Sequence, residues 1–283
     1  MNIESNKIKG EAKSIKLNNG VVLTYAEKGE KNEEVMITGA FYHHTFMPVV
    51  EGLSRRYHVY AVVMRFSGPT EELEKDGTTN WTKQWGRDIY NFALEMKINK
   101  FHYIGKCHGT IPGWWLVKNH PEVLIDFCSF FLGPHLLPNN SNQWDEKLAS
   151  GKMKELMSVA LRKPESGIKK KMEEMASLGN LDGKEIELAS KWGGFPEYIW
   201  DKDLKAVEKS LKNTNIPIGY LFGTDDILFN DYYDANMLLF KITKGCHFTI
   251  LQGERHLMEI DCPERVVDEA FYFIDQAHKN YDE

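Results

Sequence analysis

Gly105-Lys106-Cys107-His108-Gly109 limits the fold of this chain more than any other segment. It ends the apolar segment Phe101–Gly105, a predicted strand, and leads into a segment with helical spacing that reaches Asn119. The two glycines permit a sharp, strained turn that larger side chains would obstruct. The pattern G-x-C-x-G between a strand and a helix predicts a nucleophile elbow, residues 105–109, which presents Cys107 at the edge of a sheet.

The backbone around Cys107 favours reactive chemistry at its sulfur. The positive N-terminal end of the following helix stabilises a thiolate and a developing oxyanion. The backbone N–H of His108 can supply half of an oxyanion hole. Free cysteines are more often small buried apolar residues, and we keep that interpretation for the three that lack such a context, Cys128, Cys246 and Cys262.

Strands and helices alternate on both sides of the elbow. A hairpin is predicted over 13–27 around Asn18-Asn19-Gly20. Further strands are predicted over 34–38, 57–63, 124–132, 216–222 and 245–251, and helices over 46–56, 81–96, 231–240 and 263–277. Alternation of this kind indicates an α/β protein with a mostly parallel, doubly wound sheet.

The alternation stops after the sixth predicted strand. Residues 135–212 are mostly helical in pattern and rich in lysine and glutamate, with tryptophan and methionine interspersed. We therefore predict a core of residues 1–134 and 213–283 and an inserted helical cap of residues 135–212. Such a cap would cover the carboxyl edge of the sheet, where ligands bind in open α/β folds.

Two loops at the same predicted sheet edge carry partners for Cys107. The segment Gly223-Thr224-Asp225-Asp226 follows a strand, and a carboxylate there would orient a catalytic histidine. Of its two aspartates we choose Asp226, with Asp225 as the alternative. His256 lies between the last strand and the last helix. The sequence thus predicts a Cys107–Asp226–His256 triad, with a thiolate–imidazolium pair considered for its resting state.

These features together resemble the α/β-hydrolase superfamily, in its group with a helical cap, over nearly the whole chain. The resemblance implies the α/β-hydrolase fold, a nucleophile at Cys107, an acid at Asp226 and a general base at His256. The stretch His256-Leu257-Met258-Glu259 resembles the family's H-x-x-x-E segment, with two residues in place of three between the histidine and the glutamate. The nucleophile departs from the family's pattern, because cysteine replaces the common serine.

The resemblance also implies a partner for the N–H of His108 in the oxyanion hole. Thr38-Gly39-Ala40-Phe41 stands where the family usually has His-Gly-x-x. The backbone N–H of Ala40 or Phe41 would therefore complete the hole. Thr38 replaces the usual histidine, so this loop is expected to be held differently.

The triad predicts acyl chemistry, and the tryptophan and methionine residues of the predicted cap favour a small apolar or aromatic molecule as the substrate. We expect hydrolysis of an ester, lactone or thioester through an acyl-thioenzyme, because a thiolate is a strong nucleophile and a good leaving group. Acyl transfer, carbon–carbon bond cleavage and a small-ligand receptor with vestigial turnover stay open on the same fold. The candidate substrate-pocket residues, for which packing is an equal alternative, are His43, His44, Trp114, Trp144 and Trp192.

Composition excludes several classes of partner. The chain has 283 residues, a net charge of −6 and a pI of about 6.0, which argues against binding nucleic acid or anionic membranes. Without a secretory signal or a membrane-length apolar run, we expect a cytoplasmic protein with free thiols. Without CxxC, CxxH or a glycine-rich phosphate loop, we expect no metal and no cofactor. The expected partner is a small-molecule substrate, and a homodimer stays open.

Overall fold

The computed structural model describes residues 13–40, 43–65, 68–73, 77, 79–130, 204–226, 237, 240–243 and 245–281. Eight strands lie within these ranges: β1 (Lys13–Lys16), β2 (Val22–Lys28), β3 (Val35–Ala40), β4 (His58–Val63), β5 (Phe101–Lys106), β6 (Leu124–Phe130), β7 (Ile218–Gly223) and β8 (His247–Leu251). The helices are α1 (His43–Leu53), α2 (Trp81–Glu95), α3 (Thr110–Asn119), α4 (Leu204–Asn213), α5 (Met258–Asp261) and α6 (Pro263–Tyr281), with short 3-10 turns at Cys107–Gly109 and Pro121–Val123.

The eight strands form one sheet in the order β1-β2-β4-β3-β5-β6-β7-β8. The β1–β2 hairpin joins the sheet antiparallel to β4, and all pairs from β4 to β8 are parallel. The predicted mostly parallel, doubly wound sheet is therefore confirmed. Because parallel strands share one direction, the loops that follow β3, β5, β7 and β8 open at the same edge.

The central strands are buried on both faces, as their continuous apolar sequences predict. Every residue of β7 is buried, and β6 has only one residue that is not. Trp114 of α3 contacts Phe127 edge to face at 5.0 Å between ring centroids and lies 5.7 Å from the ring of Tyr220. These contacts fix α3, and with it the elbow, on the sheet.

Several predicted segments lie outside the described residues. Most of the predicted cap, 135–212, belongs to this group, and so does most of the helix predicted near 231–240. Helix α4 ends at Asn213, one residue beyond the predicted end of the cap. The described helices include none whose length and apolar character would suit a membrane span.

Candidate active site

The elbow holds Cys107 in an unusual backbone conformation. Strand β5 ends at Lys106, the turn covers Cys107–Gly109, and α3 begins at Thr110. Cys107 has φ of +51°, in the left-handed region that residues with a side chain rarely adopt. Such strain costs about 1–3 kcal/mol and persists where the surrounding structure enforces it, which is most often at functional sites.

Close backbone contacts explain why glycine flanks the cysteine. A Cβ added at Gly105 would lie 2.2 Å from the carbonyl oxygen of Gly109. A Cβ added at Gly109 would lie 2.3 Å from the carbonyl oxygen of Gly39, at the end of β3. Any side chain at either position would collide with backbone, so both glycines are required by the turn itself.

The hydroxyl of Tyr103 joins β3 to the elbow. It accepts a hydrogen bond from the N–H of Gly39 at 3.1 Å and donates to the carbonyl of Gly109 at 2.7 Å. Burial raises the pKa of Tyr103 well above its ordinary value, so the hydroxyl keeps its proton. Ala40, whose N–H is a predicted oxyanion donor, is the last residue of the strand held in this way. Phe41, the other predicted donor from this loop, lies outside the described residues.

Asp226 and His256 form a buried pair beyond the ends of β7 and β8. The Oδ2 atom of Asp226 lies 2.8 Å from Nδ1 of His256, and only 2% of His256 is exposed. With Nδ1–H donating to the carboxylate, Nε2 carries the basic lone pair of the ring. Asp225 takes no part in this pair, because it is exposed and its Oδ1 accepts a hydrogen bond from Thr224.

Backbone hydrogen bonds hold the Asp226 and His256 loops together. The N–H of Thr224 donates to the carbonyl of Leu251 at 3.0 Å, and the N–H of Asp225 donates to that of Glu254 at 2.9 Å. A Cβ added at Gly223 would lie 2.2 Å from the carbonyl oxygen of Glu254. The pairing of Asp226 with His256 is therefore fixed by the backbone of both loops.

Lys106 provides a link that the sequence did not reveal. Its Nζ lies 2.7 Å from Oε1 of Glu259 in α5, and their side chains are only 12% and 3% exposed. The ion pair ties the elbow to the segment that follows His256. The resemblance of the stretch after His256 to a family segment pointed to Glu259, but no sequence signal identified Lys106 as its partner.

Burial favours the neutral forms of the Cys107 thiol and the His256 imidazole. It raises the pKa of Cys107 to about 12, against the opposing effects of the Lys106 charge and the N–H of His108. Burial also lowers the pKa of His256, although the Asp226 carboxylate favours the charged ring. The thiol and the imidazole are therefore both neutral at pH 7. The thiolate–imidazolium resting pair considered from the sequence is disfavoured, because burial outweighs the neighbouring charges.

His108 adds a second imidazole next to the sulfur. Its Nδ1 lies 3.5 Å from Sγ of Cys107. Burial lowers its pKa to about 3, with further lowering by His256 when that ring is protonated and by the charge of Lys106. This ring therefore stays neutral, and it brings a polar side chain to the sulfur of Cys107 in addition to the predicted backbone donor.

Of the five predicted pocket residues, the structure describes the side chain of Trp114 only. Trp114 is only 1% exposed and packs among core aromatic rings, so it has a packing role, and its assignment to the pocket stays a prediction. His43 and His44 start α1, but their side chains are outside the described part of the chain. Trp144 and Trp192 also lie outside the described residues.

Comparison with known proteins finds likeness in structure but not in sequence. No protein-family model and no curated protein matches the chain. The structure is similar to a serine hydrolase from Cycloclasticus zankles, a bacterium that degrades polyaromatic hydrocarbons (13% identity, 94% of this chain and 98% of that one, TM-score 0.75). It is also similar to a meta-cleavage product hydrolase from Pseudomonas fluorescens (15%, 94% and 98%, TM-score 0.74).

A third similar structure is the naproxen esterase of Bacillus subtilis, at 16% identity over 93% of this chain and 90% of that one, with a TM-score of 0.68. At such low sequence identities, these structural similarities indicate the fold and do not indicate the activity. The chain has the α/β-hydrolase fold. Its strand order and its mostly parallel sheet agree with these structural similarities.

Proposed function

We propose that this protein is a hydrolase that cleaves an ester, lactone or thioester of a small apolar or aromatic molecule. One observation carries the proposal: the Asp226–His256 pair, 2.8 Å between Oδ2 and Nδ1, lies at the sheet edge where β5 delivers Cys107. The left-handed backbone of Cys107 supports the assignment, since strained residues concentrate at functional sites. Cys107 is the nucleophile, His256 the general base and Asp226 its orienting acid.

The reaction begins with a neutral thiol and a neutral imidazole. Nε2 of His256 takes the Sγ proton while sulfur attacks the acyl carbon, and the carbonyl electrons move onto oxygen. The N–H groups of His108 and of Ala40 or Phe41 hold this oxyanion. The oxyanion collapses, the C–O bond breaks, and His256 returns its proton to the leaving oxygen.

Water completes the cycle. His256 takes a proton from water, whose oxygen attacks the thioester carbon, and collapse of the second oxyanion breaks the C–S bond. The proton on His256 then restores the Cys107 thiol. Throughout, the carboxylate of Asp226 stabilises the imidazolium that forms transiently. Because the thiolate leaves the first tetrahedral intermediate more readily than an amine does, activated acyl groups are the favoured substrates and ordinary amides are not.

Carbon–carbon bond hydrolysis is a second candidate. It is favoured by the meta-cleavage product hydrolases among the similar structures, whose names place that reaction on this fold. The same triad would attack a ketone carbonyl and release a carbon leaving group. The product separates the candidates, because an ester yields an alcohol and an acid, whereas a β-diketone-like substrate yields a ketone and an acid.

Intact-protein mass spectrometry after incubation with a panel of esters, lactones, thioesters and β-diketones tests the proposal. We expect an acyl adduct that peptide mapping confines to Cys107, and loss of turnover in Cys107→Ala. Cys262→Ala is the matched control and should keep both adduct and turnover. Near-normal turnover by Cys107→Ala would sink the assignment. Ligand-induced stabilisation without any turnover would favour the receptor alternative instead.

A further inference from the structure

A second cluster of polar side chains lies at the opposite edge of the sheet. His102 is the second residue of β5, Asp126 the third residue of β6, and His278 lies near the end of α6. Lys106 lies four positions after His102 along β5, which is about 13 Å at roughly 3.3 Å per residue. The cluster is therefore distinct from the candidate active site.

The three side chains converge on one point. One ligand atom from each lies within 4.8 Å of the others. Oδ2 of Asp126 is 2.8 Å from Nδ1 of His102 and 3.6 Å from Nε2 of His278. His102 and Asp126 are each 1% exposed, whereas His278 is 52% exposed and leaves the cluster open to solvent on one side.

Two buried atoms of the cluster lack partners. Among the residues that the structure describes, neither Nε2 of His102 nor Oδ1 of Asp126 has a hydrogen-bond partner. Burying a polar atom without a partner costs free energy, so such atoms usually indicate a ligand, an ion or water. The Oε2 atom of Glu34 is 4.0 Å from Nε2 of His102, and the exposed Glu34 side chain can move closer.

We propose that His102, Asp126 and His278 bind a divalent transition metal of the zinc class. Two imidazoles and a carboxylate suit zinc, whereas calcium and magnesium prefer oxygen ligands. Two ligand atoms of a tetrahedral zinc ion lie about 3.4 Å apart. The 3.6 Å between Asp126 and His278 fits that spacing, and the 2.8 Å between Asp126 and His102 has to widen by about 0.6 Å.

The metal would take the place of the proton between Nδ1 of His102 and the Asp126 carboxylate. Oδ1 of Asp126 then gains a cation beside it, and Nε2–H of His102 donates to Glu34. Histidines that bind metal commonly donate their other ring N–H to a carboxylate in this way. Water fills the fourth position, as three protein ligands require. The ion would fasten the last helix, α6, to strands β5 and β6.

Zinc titration of the full chain, stripped of metal with a chelator, tests this site. The experiment uses a Cys107→Ser background, so that zinc on the catalytic thiol is not counted. We expect one zinc ion per chain, with affinity about 100-fold lower when His278→Ala removes an exposed ligand. His120→Ala, which removes a partly exposed histidine elsewhere, is the matched control and should leave the affinity unchanged.

Glu34→Gln gives a second, independent test at an exposed position. It should weaken zinc binding by about 10-fold, because it replaces the charged acceptor for Nε2–H of His102 by a weaker amide oxygen and removes no ligand. Zinc should also raise the melting temperature of the Cys107→Ser chain and not that of its His278→Ala derivative. Failure of the Cys107→Ser chain to bind zinc, or binding that His278→Ala leaves intact, overturns the proposal and leaves a hydrogen-bonded cluster only.

Discussion

Cys107 combines a reactive atom with a backbone conformation that suits glycine. The turn packs Gly105 against the backbone of Gly109. Its tightness accounts for the φ of +51° at Cys107. The left-handed region costs a residue with a Cβ about 1–2 kcal/mol. Among the described residues other than glycine, Cys107 shares such a positive φ only with Lys97.

Replacing the cysteine by glycine should therefore stabilise the fold relative to alanine. Cys107→Gly and Cys107→Ala both remove the sulfur, so neither should turn over substrate. The glycine variant should be more stable by about 1 kcal/mol, which is the relief of strain less the greater freedom of glycine in the unfolded chain. Urea unfolding of the two variants measures the difference. An alanine variant of equal or greater stability would contradict the strained geometry.

The pH profile of kcat/KM should report His256 as a neutral base. Burial lowers its pKa below the ordinary 6.5, so the protonated, inactive form appears only at lower pH. Activity should stay level through neutral pH and fall below pH 6.5. A profile that already falls above pH 6.5 would contradict the neutral resting pair.

Iodoacetamide supplies the second readout: alkylation of Cys107 should be slow at neutral pH and accelerate towards pH 12.

The elbow and α5 are joined by the Lys106–Glu259 ion pair, and its burial decides how it acts. Removing one partner leaves a charge in a site where water cannot solvate it, whereas removing both leaves an apolar contact. The loss of stability should therefore depend on whether one side chain of the pair is replaced or both are. Lys106 precedes Cys107 directly and Glu259 follows His256 by three positions, so any shift of α5 would alter the distance between the proposed nucleophile and the proposed base.

A double-mutant cycle on this pair should show strong coupling. Lys106→Met and Glu259→Leu should each lower the free energy of unfolding by about 3 kcal/mol, and the double variant should recover most of that loss. Chemical denaturation of the four proteins gives the coupling energy. The exposed ion pair of Arg56 with Asp275 is the control, and it should couple by less than about 1 kcal/mol. Additive losses at Lys106 and Glu259 would rule out a buried pair.

The Tyr103 hydroxyl connects β3 with the elbow, and so couples the two predicted halves of the oxyanion hole. Tyr103→Phe keeps the ring but leaves the N–H of Gly39 and the carbonyl of Gly109 without their partner. It should cost about 1–3 kcal/mol of stability. If the hole lies between β3 and the elbow, kcat should fall while KM changes little. A change confined to KM would place this contact outside the reaction.

Over the whole molecule, the sequence predicted the scaffold better than it predicted the contacts. Strand and helix periodicity gave the parallel sheet, because each element carries its own pattern of burial. No pattern in the sequence separates Asp226 from Asp225, and the geometry pairs Asp226 with His256. Lys106 with Glu259 and His102 with His278 meet only through the fold, since no local pattern joins residues so distant in sequence. The pKa of Cys107 depends on burial, which the local sequence does not encode.

The core and the predicted cap are expected to have different roles, with chemistry in the core and substrate contacts in the cap. The three residues of the proposed triad all belong to the predicted core, so chemistry on a minimal substrate should not need the cap. Trp144 and Trp192 of the predicted cap are proposed to contact the apolar part of the substrate. Trp144→Ala and Trp192→Ala should leave kcat/KM for a small acetate ester within about threefold. The same variants should lower it by about tenfold or more for a bulky aromatic ester, whose apolar contacts they remove. Trp81→Ala, on α2 of the core, is the matched control. Equal losses on both esters would mean that these tryptophans support the fold and do not select the substrate.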